Sequence, residues 1–323
     1  MSTIFRGKRV LIAGGTGFVG INLITRMLSL GANVRATVHR KAPVVVDEGV
    51  DYVTCDLLSM EDCRKAVAGM DCVFMCAANT SGAAVIAATP LVHVTPNIVM
   101  NAQIMEAAHG AKVKKFVFLS SNAAYPPSED RYVREEEMFH ADPYDIYFGV
   151  AWMKRYSEIL CRMYSQKMKP SMPSLVVRPS NIYGPHDDFD PATSHVMAAT
   201  IRKVVERQNP LNVWGTGDDI RDLIYIDDFI DALILAAEKM DTYYPLNIGF
   251  GKGYSIKQLL GVLMEIEGCG DLKIEYDLSK PSMIPIRLID VSKAERMLGF
   301  RAKTDVREGM KKTIEWYKAT FME

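Results

Sequence analysis

The stretch KRVLIAGGTGFVG, Lys8 to Gly20, decides the fold of this 323-residue chain. Its first six residues, Lys8 to Ala13, are a predicted strand that ends in four apolar residues, and the glycines that follow open a helix predicted from about Gly17 to Leu30. Gly14 permits a tight turn, Gly17 lets the backbone approach a pyrophosphate, and Gly20 allows the helix to pack closely on the strand. Because a strand precedes the glycines and a helix follows them, the pattern favours a dinucleotide site over an ordinary strand–helix turn.

Short apolar runs and helical stretches alternate through the first half of the chain. Predicted strands lie at Asn33 to Val38, Asp51 to Cys55, Cys72 to Cys76, Lys115 to Leu119 and Leu175 to Arg178, and predicted helices at Glu61 to Gly69, Asn97 to His109 and Tyr144 to Met168. This alternation predicts an α/β fold, a doubly wound parallel sheet of the Rossmann type. We expect a cofactor-binding domain over residues 1–180, which also receives a strand from about residues 225–250.

The second half, residues 181–323, is more irregular and predicts a smaller C-terminal α/β lobe that binds substrate. Helices are expected at about His195 to Glu206, Asp227 to Met240, Ser255 to Glu267 and Val306 to Lys318, with a strand at Leu246 to Ile248. The stretches GPHDDFDPATSH (184–195) and NPLNVWGTGDDIRDLIYIDDF (209–229) are expected to be long loops. Long loops in a compact protein are usually binding or lid segments.

Composition excludes several function classes. The formal net charge is -1, from 38 basic and 39 acidic residues, so no global field attracts nucleic acid or an anionic membrane. No run approaches the roughly 18 apolar residues of a membrane span, and no secretory segment precedes the first strand. We expect a cytoplasmic protein with a small-molecule substrate. The six scattered cysteines show no metal-ligand spacing, so we expect reduced core thiols and no metal.

The end of the second predicted strand distinguishes NADP from NAD. An Asp or Glu at this point would bind a free ribose 2′-hydroxyl, but the chain has His39, Arg40 and Lys41. Guanidinium and ammonium groups suit a 2′-phosphate, which favours NADP (NADPH) over the alternative of a solvated basic turn. After the third strand, Asp56 is expected to hydrogen-bond the adenine amine, with Leu57 packing on the ring.

Several further motifs occur in order: Ala77-Ala78, Asn97, Ser120-Ser121, Lys154 and RPSNIYGP (Arg178 to Pro185). With the glycine turn, they resemble the extended short-chain dehydrogenase/reductase family of nucleotide-sugar epimerases, dehydratases and reductases. The segments YGPHDDFDPATSHV, VWGTGDDIRDLIYIDDF and KPSMIPIRLIDVSKAERMLGF resemble the GDP-L-fucose synthase group of that family, the NADPH-dependent 3,5-epimerase/4-reductases of a GDP-linked 4-keto-6-deoxy sugar. The resemblance therefore implies an NADP-dependent enzyme whose substrate is a nucleotide sugar, GDP-linked in that group.

The resemblance also assigns binding residues. For the cofactor they are Gly14, Thr16, Gly17, Phe18, Val19, Gly20, His39, Arg40, Lys41, Asp56, Leu57, Ala77, Ala78, Asn97, Lys154, Pro179, Asn181 and Ile182. For the substrate they are Ser121, Asn122, Asn181, His195, Lys203, Val213, Trp214, Arg221 and Arg287. Arg221 matches the arginine that grips the diphosphate, whereas Trp214 either walls the base or sugar or belongs to the core. The family usually dimerises through the helices matching Asn97 to His109 and Tyr144 to Met168. Met105, Trp152 and Met163 on these helices are either dimer contacts or core residues.

The predicted catalytic helix departs from the family pattern at one position. The family places a Tyr four residues before the active-site Lys as proton donor, but Val150 precedes Lys154 here. Ser121 matches the Ser that holds the ketone oxygen. Tyr147 lies two turns before Lys154, about 10 Å along a helix axis, and either replaces the missing phenol or packs against protein or substrate. Water and His195 are the other candidate proton donors.

The epimerase half of the resemblance is incomplete as well. The fucose-synthase group uses a Cys two residues after the catalytic Ser together with a His ahead of the substrate-lobe helix. His195 matches that His, whereas Ala123 occupies the Cys position. We therefore predict an NADP-dependent 4-reductase. The alternatives are a non-redox epimerase or isomerase with a retained cofactor, and a catalytically silent dinucleotide-binding protein.

Overall fold

The computed structural model describes residues 4–80, 89, 91–191, 193–279 and 284–322. Seven parallel strands form the main sheet, in the order β3-β2-β1-β4-β5-β7-β11. Their bounds are β1 Arg9–Ala13, β2 Asn33–Val38, β3 Val50–Thr54, β4 Cys72–Met75, β5 Lys115–Leu119, β7 Ser174–Pro179 and β11 Tyr244–Ile248. The chain runs outward from β1 to β3 and then returns to place β4 on the other side of β1. Ligands of doubly wound sheets bind at such a switch point, beyond the carboxyl ends of the strands.

Helices cover both faces of this sheet. They are α1 Phe18–Ser29, α2 Met60–Val67, α3 Leu91–Gly110, α4 Phe148–Gln166, α5 Val196–Val205, α6 Ile226–Lys239, α7 Ile256–Glu267, α8 Ser292–Leu298 and α9 Val306–Phe321. The core on the α2, α3 and α4 side includes Leu11, Val73 and Phe116. The core on the α1 and α6 side continues without a break into the second half, where it includes Leu223, Leu259 and Ile314.

A second sheet lies in the C-terminal half. Its order is β12-β10-β14-β6, and β8 also pairs with β10, while β9 and β13 form a separate parallel pair. The bounds are β6 Tyr132–Val133, β8 Asn181–Tyr183, β9 Leu211–Trp214, β10 Ile220–Tyr225, β12 Gly253–Ser255, β13 Ile274–Asp277 and β14 Ile286–Ile289. Strand β6 comes from the first half and joins β14, whereas β11 comes from the second half and completes the main sheet beside β7.

The doubly wound parallel sheet predicted from sequence is confirmed, and β2 and β5 have the predicted bounds. The expectation of a long loop over residues 209–229 is wrong, because β9, β10 and the start of α6 lie there. Strand β9 has only 4 residues, alternately buried and exposed, and β10 begins with two half-buried residues before its short apolar run, so the strand pattern is weak in this part of the sequence. The division at residue 180 stays a prediction.

Helix α3 begins six residues earlier than expected, because it continues through Pro96. A proline inside a helix has no N–H to donate to the carbonyl four residues before it. In this helix that carbonyl belongs to Val92, and the side-chain amide of Asn79 donates to it at 3.0 Å. Asn79 thereby replaces the missing bond and ties the segment after β4 to the helix.

Candidate active site

The glycine turn after β1 is held by close backbone contacts. Gly14 has a φ of +92°, and a Cβ there would lie 2.7 Å from the main chain of Ala77. A Cβ at Gly20 would lie 2.1 Å from the carbonyl oxygen of Gly14. The Gly14 N–H donates to the Thr37 hydroxyl at 2.8 Å, which attaches the turn to β2. Gly14 and Gly20 are therefore required by the protein's own packing.

Gly17 has a different environment. The nearest protein atom to a Cβ at this position is 3.5 Å away, and Gly17 is exposed. It precedes α1, whose first turn contains no acidic residue and whose N-terminus has no side-chain cap. The free N–H groups and the positive end of such a helix suit a phosphate. The open space above Gly17 fits the pyrophosphate of a dinucleotide.

Beyond β2, the side chains of His39, Arg40 and Lys41 are exposed at the carboxyl edge of the sheet. None of the ion pairs found within the described ranges involves these three residues. Their positive charge is thus not balanced by a protein carboxylate in ion-pair contact. The turn is suited to bind a further phosphate.

Two predicted cofactor contacts have other roles in the structure. Leu57 is buried in the core that α2 covers, and its contact with an adenine ring stays a prediction. Asn97 is also buried, and its amide donates to the Asn79 and His93 carbonyls while its oxygen accepts from the Asn79 N–H. Asn97 therefore shapes the edge beside β4. Asp56 is half-buried and accepts from the Leu58 N–H at 3.0 Å.

Ser121 and Lys154 are brought together at the carboxyl end of β5. Ser121 caps a 3₁₀ turn over Asn122–Ala124, where its hydroxyl oxygen accepts from the Ala123 N–H at 3.1 Å. The Lys154 ammonium donates to the carbonyl of Leu119, the last residue of β5, at 2.8 Å and lies 5.0 Å from the Phe118 ring centre. The two side chains face the same edge of the sheet as the glycine turn.

Burial lowers the pKa of Lys154 to about 8, with the Glu158 carboxylate one turn later opposing this shift. Part of the Lys154 side chain is nevertheless accessible to solvent. We call the region around Ser121 and Lys154, at the carboxyl end of β5, the candidate cleft.

A fully buried polar network supports this cleft. Arg178 donates to both oxygens of Glu158, at 3.0 and 2.6 Å, and the Ser120 hydroxyl donates to Oε1 at 2.5 Å. Arg178 also donates to the Tyr125 hydroxyl, which in turn donates to Asn247 of β11. The network thus connects the neighbour of Ser121 and the helix of Lys154 to β7 and β11.

The second sheet contributes two arginines to the candidate site, both near Tyr147. Arg221 of β10 and Arg287 of β14 are register partners in adjacent parallel strands. Arg221 pairs with Asp219 at 3.0 Å, and burial lowers the pKa of Arg221. Arg287 is buried and donates to the carbonyls of Tyr125 and Pro126, although its Nε has no hydrogen-bond partner. Much of its donor capacity is therefore used within the protein.

Tyr147 faces these arginines. It ends a 3₁₀ turn over Asp145–Tyr147 and is the residue before α4. Burial raises the pKa of Tyr147, and the charges of Arg221 and Arg287 oppose that shift. The charged group that acts on Lys154 is Glu158, not a phenol. The geometry favours a substrate contact for Tyr147 over replacement of the phenol beside Lys154.

His195 stands directly before α5 as its N-terminal cap residue. Its side chain is exposed, yet burial by surrounding protein lowers its pKa, with Asp188 opposing the shift. Both observations fit a histidine at the rim of the cleft. Asp188 accepts from the Thr193 hydroxyl at 2.6 Å and from the Asp190 N–H at 3.0 Å, which orders the segment leading to His195.

Comparisons with known proteins identify the family of this chain. Residues 10–249 match the NAD dependent epimerase/dehydratase family. The chain belongs to that family. It is similar to the GDP-L-fucose synthase of Sinorhizobium fredii, with 30% identity over 318 residues, 96% of this chain and 95% of that protein. It is also similar to a Streptomyces dTDP-4-dehydro-6-deoxy-D-allose reductase, with 26% identity over 97% of both chains.

A solved structure shows the same family fold. UDP-glucose 4-epimerase from Thermotoga maritima, solved with UDP-glucose, superimposes with a TM-score of 0.87 at 26% identity, covering 98% of this chain and 100% of that one. The expected membership of the extended short-chain dehydrogenase/reductases is thus confirmed, and the chain is an enzyme of this epimerase/dehydratase type.

The remaining predicted binding residues lie near the carboxyl ends of the strands or the start of α1. Ala78 is exposed, and the others are half-buried: Thr16, Phe18, Val19, Ala77, Asn122, Pro179, Asn181 and Ile182. In the second half, the Lys203 ammonium donates to the Asn212 carbonyl at 2.8 Å. Val213 is buried and belongs to the core, whereas Trp214 is 49% exposed, and their contacts with substrate stay predictions.

Sequence reasoning missed the residues that support the site. Glu158, Arg178, Tyr125 and Asn247 are far apart in the chain and meet only because β5, β7 and β11 are neighbours. A charged residue at the end of an apolar strand, Arg178, is the sequence feature that could have indicated a buried partner. In the part of the chain that the structure describes, no cluster of His, Cys, Asp or Glu is suited to hold a metal, and no helix is long and apolar enough to cross a membrane.

Proposed function

We propose that this enzyme is an NADPH-dependent reductase of a nucleotide-linked 4-keto-deoxy sugar, with a GDP-linked sugar as the preferred substrate. The observation that supports this most directly is the position of Ser121 and Lys154. Both lie at the carboxyl end of β5, on the same sheet edge as the glycine turn. A ketone between that edge and the arginines of the second half would be within reach of the hydride donor and of a hydroxyl donor.

The residues present fit a dinucleotide cofactor. The open space above Gly17 and the uncapped start of α1 suit its pyrophosphate, and Arg40 and Lys41 suit the 2′-phosphate of NADP. Lys154 would hold the nicotinamide ribose. When bound in its reduced form, the cofactor supplies a hydride. The protein's own task is to orient the ketone through Ser121 and to provide the proton that the new alkoxide takes.

The second half fits a sugar nucleotide. The planar guanidinium of Arg221 suits paired hydrogen bonds to phosphate oxygens. The ring of Trp214 is exposed and could pack against a base or sugar. Similarity to GDP-L-fucose synthase over nearly the whole chain supports a GDP-linked substrate. Similarity to a dTDP-4-dehydro-sugar reductase supports the 4-keto group as the point of attack.

The catalytic groups favour reduction without double epimerisation. Inversion of carbons beside a ketone needs a base on one face and an acid on the other. His195 at the rim of the cleft supplies one such group, whereas Ala123 has no ionisable side chain at the position where the fucose-synthase group has its Cys. The predicted product therefore keeps its configuration at the carbons beside the ketone.

We also propose a homodimer, but with a revised contact surface. Met105 is fully buried and its sulfur lies 3.9 Å from that of Cys161, so of the two roles open to it, dimer contact or core, it has the core role. Phe148, Trp152, Tyr156 and Ile159 are 38–49% exposed and recur along one side of α4. This apolar stripe fits the same face of a second copy.

The experiment is to incubate the protein with NADPH and GDP-4-keto-6-deoxymannose, following loss of NADPH absorbance and the stereochemistry of the product. NADH and a dTDP-linked 4-keto sugar test cofactor and nucleotide preference in parallel. Ser121→Ala is the matched control, because it removes the hydroxyl and leaves the cofactor turn intact. Absence of NADPH consumption with every 4-keto sugar offered would reject the reductase.

A further inference from the structure

With Val150 where the family has its proton-donating phenol, the structure must place another acid near the ketone. A helical side chain covers the surface of the turn that precedes it, and residues four apart share one helix face. The Lys154 side chain therefore leans over the turn that contains Val150. Its ammonium is anchored at the carboxyl end of β5 by the bond to the Leu119 carbonyl.

We propose that Lys154 is itself the general acid of the reduction, a role that rests on the reductase function proposed above. The ketone carbon accepts a hydride from the reduced nicotinamide as the carbonyl π bond breaks, and the ketone oxygen takes a proton from the Lys154 ammonium. The nicotinamide is oxidised, Lys154 is left as a neutral amine, and it regains its proton from water in the cleft.

The hydrogen bonds of Lys154 leave donors for this step. An ammonium has three N–H donors, and among the described residues one acceptor, the Leu119 carbonyl, is within bonding distance. Ser121 lies two residues beyond Leu119 and opens the following 3₁₀ turn. The hydroxyl that orients the ketone and the ammonium that protonates it are thus held by consecutive parts of one segment.

The charged groups around α4 leave Lys154 without a carboxylate partner. Glu158 follows one turn later, but both of its oxygens are occupied by Arg178 of β7. The Tyr125 hydroxyl faces Arg178 and Asn247, and from α3 the uncharged Asn101 faces α4, where it donates to Ser157. A lysine that is not paired with a carboxylate releases its proton more readily than one in a salt bridge.

The ionisation of Lys154 is suited to the role. Burial lowers its pKa to about 8, despite the opposing charge of Glu158. General acids work best when their pKa lies near the working pH. At pH 7 the protonated form predominates, so the group is charged and ready to donate. The reduction rate is expected to be constant below pH 8 and to fall as pH rises through that value, because the acid is then lost.

The test combines two variants of the full-length enzyme. Lys154→Arg keeps a positive charge for the ribose, but its guanidinium cannot release a proton at working pH. We expect the reduction rate to fall about 10²-fold or more, with NADPH affinity, measured by fluorescence titration, unchanged. Adding Val150→Tyr to Lys154→Arg supplies a phenol beside a cation and should restore the rate.

Two further measurements keep the test decisive. Lys239→Arg is the control, because the Lys239 ammonium also donates to a main-chain carbonyl, that of Leu298 at 2.6 Å, but lies outside the site. In protein labelled with carbon-13 lysine, the signal that is lost in Lys154→Arg reports the titration of Lys154 directly, without turnover. The Lys154 signal should titrate near pH 8, the same pH at which the reduction rate begins to fall.

The possible failures are distinct. If the unmodified enzyme consumes no NADPH with any 4-keto sugar, the proposed function fails. If it is active but Lys154→Arg retains a rate within about tenfold of it, or if the lysine signal titrates near the ordinary value of about 10.4, Lys154 is not the acid. Failure of Val150→Tyr to restore any rate would show that Lys154→Arg disturbed placement, and would also overturn the assignment.

Discussion

The glycine turn after β1 and the cleft around Lys154 constrain the chain in different ways. At Gly20, a Cβ would lie 2.1 Å from the carbonyl oxygen of Gly14. Because that oxygen belongs to the backbone, it cannot rotate away as a flexible side chain could. In the cleft, the family's phenol is replaced by Val150 while Ser121, Lys154 and the buried network beneath them remain. The backbone contacts at Gly20 do not allow another residue there without strain, whereas the function of a missing proton donor can be taken over by another side chain.

The largest effect should come from removing the support of the cleft. Glu158→Ala leaves Arg178 buried without its carboxylate, and breaking such a pair typically costs about 3–5 kcal/mol. Chemical denaturation should show this loss of unfolding free energy. The control is Asp231→Ala, which breaks the exposed ion pair with Arg26 and should cost about 1 kcal/mol or less. Equal losses in the two variants would show that the buried pair does not stabilise the cleft.

The next effect tests the glycine turn. Gly20→Ala forces a methyl group against the Gly14 carbonyl, and overpacking of this kind costs about 1–3 kcal/mol. We expect a lower melting temperature and weaker NADPH binding. Gly17→Ala, which meets no protein atom closer than 3.5 Å, should weaken NADPH binding while leaving the melting temperature unchanged. A similar drop in melting temperature for both variants would contradict the distinction drawn between these glycines.

A smaller effect is expected at the basic turn after β2. Arg40→Ala removes a charge placed for the 2′-phosphate, and a hydrogen bond to a charged group contributes about 1.5 kcal/mol at the lower end of its range. The preference for NADPH over NADH, measured as a ratio of kcat/KM values, should fall about tenfold. Lys8→Ala changes an exposed charge just before β1, at the opposite end of the strands, and should not alter the ratio.

The smallest effect is predicted where the family pattern is broken. Because Lys154 already supplies the proton, Val150→Tyr in the otherwise unchanged enzyme should raise the reduction rate by less than about tenfold, or 1.4 kcal/mol. Steady-state kinetics at pH 7 would measure it. A gain of about 10²-fold or more would instead show that the missing phenol limits catalysis. The phenol would then be as hard to replace as the glycines of the turn after β1.

The sequence predicted the parts of the structure that depend on local pattern. The strand–glycine–helix order of residues 8–20 identified both the sheet type and the turn, because Gly14 and Gly20 are required by contacts within that segment. Family motifs also identified Ser121 and Lys154 as candidate catalytic residues, and the structure places both at the end of β5. These features depend on residues that are close in the chain or at fixed spacings.

The features that the sequence did not predict depend on contacts between segments that are far apart in the chain. Met105 was a candidate for either a dimer contact or the core, and it lies in the core because α3 packs on the sheet. Leu57 lies in the same core, and its contact with adenine stays a prediction. Tyr147 was considered for proton transfer, yet its neighbours Arg221 and Arg287 come from strands that begin more than 70 residues later. The spacing of Tyr147 from Lys154 along the chain does not show which strands of the second sheet lie near the Tyr147 side chain.

The exchange of strands between the two halves has a consequence for how the protein is made on the ribosome. Until β11 has emerged, β7 is an edge strand with unpaired main-chain groups, and Arg178 in it lacks the part of its network that reaches Asn247. Exposed edges of this kind invite pairing with other chains. Nascent chains arrested shortly after residue 180 should therefore need chaperone protection, which those arrested well beyond residue 248 no longer require.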